Sequence, residues 1–123
     1  MKMLFFHCRD VRGLKNWNEM SWKRALVCLV CPTVGDNTYS LSKAVKEVMR
    51  SLTYLKEGNV VLVPFLHLDE HPVNPSEAVW DVKKMENELQ KAGKNVSVFD
   101  FDSATEFSMS LFGHKVAASF REV

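Results

Sequence analysis

The sequence predicts a single two-layer α/β domain with a mixed β-sheet and two main helices, spanning residues 1–123. Three observations predict this class. The continuous apolar run from Val60 to Phe65 is typical of a strand buried on both faces of a sheet covered by helices. Segments with helical spacing lie on either side of that run. The length of 123 residues suits one domain that buries its own core.

The first half of the chain predicts two strands, a helix and the buried strand, in that order. The β-rich runs Met3 to His7 and Ala25 to Cys31 are expected to be strands, with a polar loop containing Gly13 between them. Apolar residues recur at helical spacing from Leu41 to Leu55, which predicts the first helix, ending at Gly58-Asn59.

The second half predicts another helix and several strands. Asn74 is expected to cap the helix, with Pro75 at its first position and Glu77 reaching back to the cap. The stripe expected to be buried is Ala78, Val79, Val82, Met85 and Leu89, up to Gly93. Further strands are expected at Val96 to Phe101, where Asp100 and Asp102 would share one face, at Phe107 to Leu111, and at Val116 to Phe120.

Composition and charge exclude several classes of protein. The chain is 46% hydrophobic and 25% charged, with no apolar segment long enough to span a bilayer. Its first residues lack the pattern of a signal peptide, so a soluble, cytoplasmic protein with no membrane partner is expected. A formal net charge of +1 argues against a free-standing, non-specific nucleic-acid binder, but not against a protein that holds an RNA end in a pocket.

The sequence has one basic cluster, and its role is open at this stage. Its residues are Arg9, Arg12, Lys15, Lys23 and Arg24, interleaved with Trp17 and Trp22 in the predicted loop. Such a segment can stack on and neutralise an RNA strand. The alternative is a solvated loop whose tryptophans pack over the edge of the sheet.

Several familiar chemistries lack the residues they need. Cys28 and Cys31 are three positions apart on a predicted strand, so their side chains point to opposite faces and cannot share a metal. The sequence contains no G-x-G-x-x-G, Walker lysine or G-x-S-x-G motif. No metal and no cofactor are therefore expected, and three thiols suggest a reducing compartment.

His67 is the leading candidate for a functional side chain. It follows the end of a buried strand, the edge where ligands usually bind in open α/β sheets. A half-covered ring there would suit a group that holds a ligand, although a histidine bonded to neighbouring backbone explains the pattern equally well. His7 ends the first strand and would lie near His67 only if those two strands were neighbours. His71 is expected to be exposed and His114 structural.

The sequence resembles a known family. An N-terminal FFHC strand, PFLHL after the third strand, a helix started by Pro-Ser and a late GHKVAASFR segment occur together. This combination resembles the archaeal-type editing domain of threonyl-tRNA synthetase, over essentially the whole chain. The resemblance implies a D-aminoacyl-tRNA deacylase-like fold, a homodimer, and removal of serine mischarged on threonine tRNA. It further implies that the 3′ end of that tRNA and a threonyl-tRNA synthetase are the partners.

The resemblance also implies site residues. His67 and Thr105 fall on positions with catalytic roles, and Leu66, Phe101, Ala104 and His7 are implied to bind the seryl group. The resemblance also implies that the main chain at three positions contacts the terminal adenosine of the tRNA: Val30, Pro32 and Val34.

This chain departs from the family pattern at two places. The better-known members carry a Tyr-Lys pair where it has Ala104-Thr105, and an acidic residue where it has Ala118. Those departures argue against a lysine or glutamate base and leave a role for the 2′-hydroxyl of the terminal ribose. Two other functions remain open, a non-catalytic amino-acid-binding regulatory domain of the ACT type and a D-aminoacyl-tRNA deacylase.

Overall fold

The computed structural model describes all residues 1–123 and contains six strands and two helices. In chain order they are β1 (Lys2–Lys15), β2 (Asn18–Cys31), α1 (Thr38–Leu55), β3 (Asn59–Pro64), α2 (Pro75–Lys91), β4 (Asn95–Val98), β5 (Glu106–Leu111) and β6 (Ala118–Glu122).

All six strands form one sheet, in the order β4-β3-β2-β1-β5, with β6 also paired to β1. The β2–β3 and β3–β4 pairs are parallel, whereas β1 is antiparallel to each of its neighbours. β6 pairs with the first half of β1 and β5 with the second half, so these two short strands share one edge of β1 end to end. The predicted mixed sheet with two main helices is confirmed.

The two helices pack on one face of the sheet. Asn37 caps α1, and Asn74 caps α2 by accepting the Glu77 N–H at 2.9 Å, with Pro75 at the first helical position. The Asn74 side chain also accepts a hydrogen bond from the Ser76 hydroxyl at 2.9 Å. The expected hydrogen bond from the Asn74 backbone to the Glu77 side chain is not formed. The fully buried residues of the two stripes are Ala44, Val48, Leu52, Ala78, Val82, Met85 and Leu89. Neither helix has the length and apolar character needed to cross a bilayer.

The prediction of a long polar loop between the first two strands is wrong, because β1 and β2 form one long hairpin. Burial continues to alternate through that segment, with Val11 and Gly13 inside and Arg12 outside, so the period-two pattern of a strand persists among charged residues. The register of β1 against β5 shifts between Cys8 and Asp10. On the other side of β1, Arg24 of β2 has a positive φ of 53°. Such irregularities bend and twist a ribbon.

The outer half of the hairpin covers the face of the sheet that the helices leave open. Phe99 is fully buried there, and a Cβ placed on Gly13 would overlap its ring. Phe99 also contacts Trp22 edge-on at 6.3 Å and Phe107 at 5.1 Å between ring centroids. The helices therefore cover one face of β3, and this aromatic cluster with the hairpin covers the other, which confirms that the strand is buried on both faces.

The strand predicted to reach Phe101 ends at Val98. The chain then forms a 3₁₀ turn, Phe101–Ser103, which Asp100 caps by accepting the Asp102 N–H at 3.1 Å. Asp100 and Asp102 therefore do not share a strand face, because the short Asp side chain bonds to nearby backbone and so favours a turn. The strands expected near Phe107 and Phe120 are confirmed as β5 and β6, the latter starting two residues later than predicted.

Candidate functional site

The candidate site lies where β2 and β3 end side by side. Because these strands are parallel, the loops that follow them leave the sheet at the same edge. Two backbone hydrogen bonds hold the loops together: the Val34 N–H donates to the His71 carbonyl at 3.0 Å, and the Val73 N–H donates to the Pro32 carbonyl at 3.1 Å. The two loops therefore form one continuous surface at the edge of the sheet.

His67 projects from this surface. Its side chain is exposed, and its ring meets the Phe65 ring edge-on at 5.2 Å. The expectation of a half-covered ring is wrong, since the turn after Pro64 carries the imidazole outward. No hydrogen bond within the chain uses the backbone N–H or carbonyl of Leu66 or His67. An imidazole and two consecutive peptide groups are thus free to contact a ligand.

Asp69 anchors the loop that carries His67. Its carboxylate accepts the His71 N–H at 2.7 Å and pairs with the Lys2 ammonium at 2.9 Å. The His71 N–H, and then Lys2, hold the pKa of Asp69 below its ordinary value, so this carboxylate is ionised at neutral pH. An open cavity of ≈440 Å³ lies here, lined by Lys2, His67, Leu68, Asp69, Glu70 and His71.

An aromatic wall connects this loop to the second half of the chain. Phe101 meets Phe65 edge-on at 6.2 Å, and Ala104 packs against the same cluster. Thr105 is exposed, and its N–H donates to the Leu14 carbonyl at 2.8 Å. Phe101 therefore adjoins the His67 loop, because both contact Phe65. Thr105 is instead hydrogen-bonded to β1 of the hairpin.

The residues implied to read adenosine adjoin the His67 loop, but the chain already uses much of their backbone. Val30 is fully buried, and its carbonyl accepts the Phe65 N–H at 2.9 Å. The Val34 N–H and one lone pair of the Pro32 carbonyl hold the two loops together, as described above. What remains for a ligand includes the Val34 side chain, which is 73% exposed, the Val34 carbonyl, and the second lone pair of the Pro32 carbonyl.

Cys8 and Cys28 lie within β1 and β2, away from this surface, whereas Cys31 ends β2 with its thiol beside the backbone N–H groups of Leu68 and Asp69. Cys8, Cys28 and Cys31 are all buried and free. Burial raises the pKa of the Cys8 thiol to about 11 and raises those of Cys28 and Cys31 as well. Because the thiolate is the reactive form, Cys8 and Cys28 are poor nucleophiles at neutral pH.

His7 is at the opposite end of the sheet from His67. β2 separates β1 from β3, and His7 pairs with Leu26, which pairs with Val60 at the start of β3. His67 follows the end of the same strand. The prediction that His7 contributes to one pocket with His67 is therefore wrong, since the order of strands in the sheet separates them.

His7 instead belongs to a cluster that the sequence did not reveal. Its Nε2 lies 3.1 Å from the Glu57 carboxylate and its Nδ1 lies 2.8 Å from His114 Nε2. The Val116 N–H donates to His114 Nδ1 at 3.3 Å, which leaves His114 Nε2 as the donor and His7 Nε2 as the donor to Glu57. Arg24 donates to the same carboxylate oxygen at 2.5 Å.

This cluster joins separate segments of the chain. Both ring nitrogens of His7 are occupied, and the contacts tie the β5–β6 loop and the α1–β3 turn to β1. Its members come from four separate segments, and no local spacing links them. The expectation that His114 is structural agrees with these contacts.

Comparison with known proteins identifies the relatives of this chain. The family model described as the archaea-specific editing domain of threonyl-tRNA synthetase matches residues 1–123. The chain is 29% identical to a threonine–tRNA ligase editing subunit of Saccharolobus solfataricus, covering all of this chain and 34% of that protein. It is 34% identical to a threonine–tRNA ligase of Thermococcus sibiricus, over 68% of this chain and 13% of that ligase. The chain thus spans about a third or less of these relatives.

The fold also matches a solved structure. The c-Myc DNA Unwinding Element Binding Protein superposes with a TM-score of 0.81 at 11% identity, covering 100% of this chain and 99% of that one. At that identity the similarity concerns the fold alone, and it agrees with the D-aminoacyl-tRNA deacylase-like fold that the family resemblance implies. With a family model matched from the first residue to the last, this chain belongs to the archaea-specific editing domains of threonyl-tRNA synthetase.

Proposed function

We propose that this domain hydrolyses L-seryl-tRNA for threonine and spares the L-threonyl form. The observation that carries the proposal is the free imidazole of His67 beside the unpaired peptide groups of Leu66 and His67, in a chain of this family. An aminoacyl ester is already activated, so its hydrolysis needs a placed water, a proton route and stabilisation of the oxyanion. No cofactor or metal enters this scheme.

A separate editing site answers a physical limit on amino-acid selection. Serine and threonine differ by one methyl group, and a pocket that accepts threonine excludes serine by only about 1 to 3 kcal/mol. A second pocket too small for the threonine methyl reverses that discrimination. Phe101 and Ala104, on the wall next to Phe65, are the residues proposed to set its size.

The reaction is proposed to proceed by direct attack of water on the ester. Water adds to the seryl carbonyl carbon, the resulting oxyanion accepts a peptide N–H of the Leu66–His67 turn, and the bond to the ribose 3′-oxygen then breaks. The proton lost by water reaches that leaving oxygen. His67 contacts the seryl hydroxyl or amine and fixes its orientation, while the Val34 side chain and the Pro32 carbonyl adjoin the terminal adenosine.

The proton route is proposed to include the RNA. Positions 104 and 105 are Ala and Thr, and neither is a base at neutral pH. The 2′-hydroxyl of the terminal ribose is adjacent to the ester and can position the attacking water, with the Thr105 hydroxyl at most assisting.

The proposed partners follow from the same function. They are the 3′ end of aminoacylated threonine tRNA and a threonyl-tRNA synthetase, to which the domain is attached or with which it acts in the cytoplasm. We also propose that the domain forms a homodimer. The exposed side chains of Leu111, Val116 and Phe120 near the β5–β6 side offer apolar surface that such an association would bury.

Selectivity tests the proposed function directly. Incubation with L-seryl, L-threonyl and D-aminoacyl forms of threonine tRNA is expected to release serine much faster than the other amino acids. Preference for the D-aminoacyl esters would assign the domain to the deacylases that act on them. No hydrolysis, combined with binding of the free amino acid, would favour a regulatory module.

The role of the ribose is tested by comparing two deletions. Replacing the terminal 2′-hydroxyl by hydrogen is expected to slow seryl release more than Thr105→Ala does, because the first removes the group that positions water. Single-turnover rates on identical tRNA, charged at the 3′ position, make the comparison. A larger loss for Thr105→Ala would refute the RNA-assisted route.

A further inference from the structure

The tip of the β1–β2 hairpin has features that its packing does not explain. Asn16 and Trp17 form a two-residue turn, with φ values of 50° and 65°. Such turns favour Asn and then Gly, because a positive φ is costly for a large side chain. Trp17 occupies the second position and is 94% exposed. The Trp17 ring is therefore held in solvent by a backbone conformation of unfavourable free energy. No packing of the ring within the chain offsets that unfavourable free energy.

Trp22 shows by contrast what a packed tryptophan does in the same hairpin. It meets Phe99 edge-on, and its Nε1–H donates to the Ser97 hydroxyl at 3.1 Å. The expectation that both tryptophans pack over the sheet is right for Trp22 and wrong for Trp17. The outward ring therefore needs an explanation from outside the chain.

The hairpin as a whole is basic, although Glu19 and Glu106 on the neighbouring strands flank Leu14, between Arg12 and Lys15. Between Arg9 and Arg24 the hairpin carries five cations and two carboxylates, a net charge of +3, whereas the whole chain has +1. Lys23 pairs with Asp10 and Arg24 with Glu57, but Arg12 and Lys15 form no ion pair. The tip is flanked by asparagines, not by the apolar residues that usually surround an aromatic anchor for a protein partner.

The tip also continues from the candidate site. The aromatic wall runs from Phe65 beside His67 to Phe101, and Thr105 at its end donates to the Leu14 carbonyl. Lys15 is the last residue of β1 and the turn Asn16–Trp17 follows it directly, so Trp17 lies within about 10 Å of Leu14. A single strand with its terminal nucleotide at His67 could follow this wall toward the tip.

We propose that the hairpin tip binds the unpaired nucleotides at the 3′ end of tRNA, with Trp17 stacking on a base and Arg12 and Lys15 contacting phosphates. The identity of the RNA rests on the proposed function. Stacking on an exposed aromatic side chain is tolerant of sequence and adds to the charge attraction of nearby cations. The tip therefore contributes affinity for the RNA strand and takes no part in the chemical step.

Binding of uncharged threonine tRNA tests this proposal without relying on hydrolysis. With fluorescently labelled tRNA, Trp17→Ala is expected to raise Kd about tenfold, and Trp17→Phe, which keeps a stacking ring, much less. Trp80→Ala is the matched control, because Trp80 is 63% exposed but lies on α2. Lys15→Gln is expected to reduce the slope of log K against log salt by about one.

A second probe locates the contact on the RNA. A tRNA lacking its unpaired 3′ nucleotides is expected to bind the wild type and Trp17→Ala equally. Equal Kd values of the wild type and Trp17→Ala for intact tRNA, or no measurable binding by the wild type, would overturn the proposal. Unchanged tRNA binding with lost association to a threonyl-tRNA synthetase would assign the tip to a protein partner. Seryl hydrolysis is measured separately, so its absence would refute the proposed function and not the binding result.

Discussion

Replacing His67 by alanine is expected to lower the rate of seryl-tRNA hydrolysis about a hundredfold and to leave the Tm nearly unchanged. The ring is exposed, meets the Phe65 ring in an edge-on arrangement, and forms no hydrogen bond within the chain. Its loss therefore opens no cavity and leaves no buried partner unsatisfied. It would remove a contact that orients the seryl group, and a misplacement of about 1 Å can cost on the order of a hundredfold in rate.

His71 provides the matched control for this experiment. It lies in the same loop, is also exposed, and contributes its backbone to the loop contacts. His71→Ala preserves those backbone contacts and should keep most of the activity. Circular-dichroism melts and single-turnover rates for both variants decide the matter. A His67→Ala protein that melts several degrees early yet hydrolyses seryl-tRNA at the normal rate would assign His67 a structural role.

The elements that the sequence predicted well are those specified by local signals. β3 is a continuous apolar run, and α2 begins at an Asn cap followed by Pro, so each carries its own evidence. The position of His67 just beyond the end of β3 was predicted for a related reason, because it depends on that strand alone. These predictions needed no knowledge of which elements become neighbours.

The hairpin was missed because its strand pattern is hidden among charges. Arg12 faces solvent while Val11 and Gly13 face the core, and a glycine carries no apolar signal to mark the inside. The reason for Gly13 is a long-range contact, the Phe99 ring from a segment more than eighty positions later. A single sequence offers no means of reading that pairing.

The site was predicted only as far as the order of strands allowed. The placement of His7 depended on β1 and β3 being neighbours, and the insertion of β2 between them separates the two histidines. Glu57, Arg24 and His114 were missed as partners of His7 for the same reason. Phe101 adjoins Phe65, but it reaches that position through a turn and not through the strand that alternation predicted.

Replacing Phe99 by alanine is expected to lower the free energy of unfolding by about 3 to 5 kcal/mol, the largest stability effect we predict. Phe99 is fully buried, and its ring contacts Trp22, Phe101 and Phe107. These contacts hold the hairpin and the wall of the candidate site against the sheet. Urea unfolding followed by circular dichroism measures the loss, and a cost below about 1 kcal/mol would show that the cluster is not well packed.

The contact between Phe99 and Gly13 can be tested by combining two changes. Gly13→Ala alone is expected to cost about 1 to 3 kcal/mol, because its Cβ would overlap the Phe99 ring. Gly58→Ala is the matched control, since a Cβ there meets no atom within 4 Å. In the Phe99→Ala background the space next to Gly13 is empty, so adding Gly13→Ala should cost little more. Contacting residues are non-additive in this way, whereas simple addition of the two costs would show that the hairpin does not rest on Phe99.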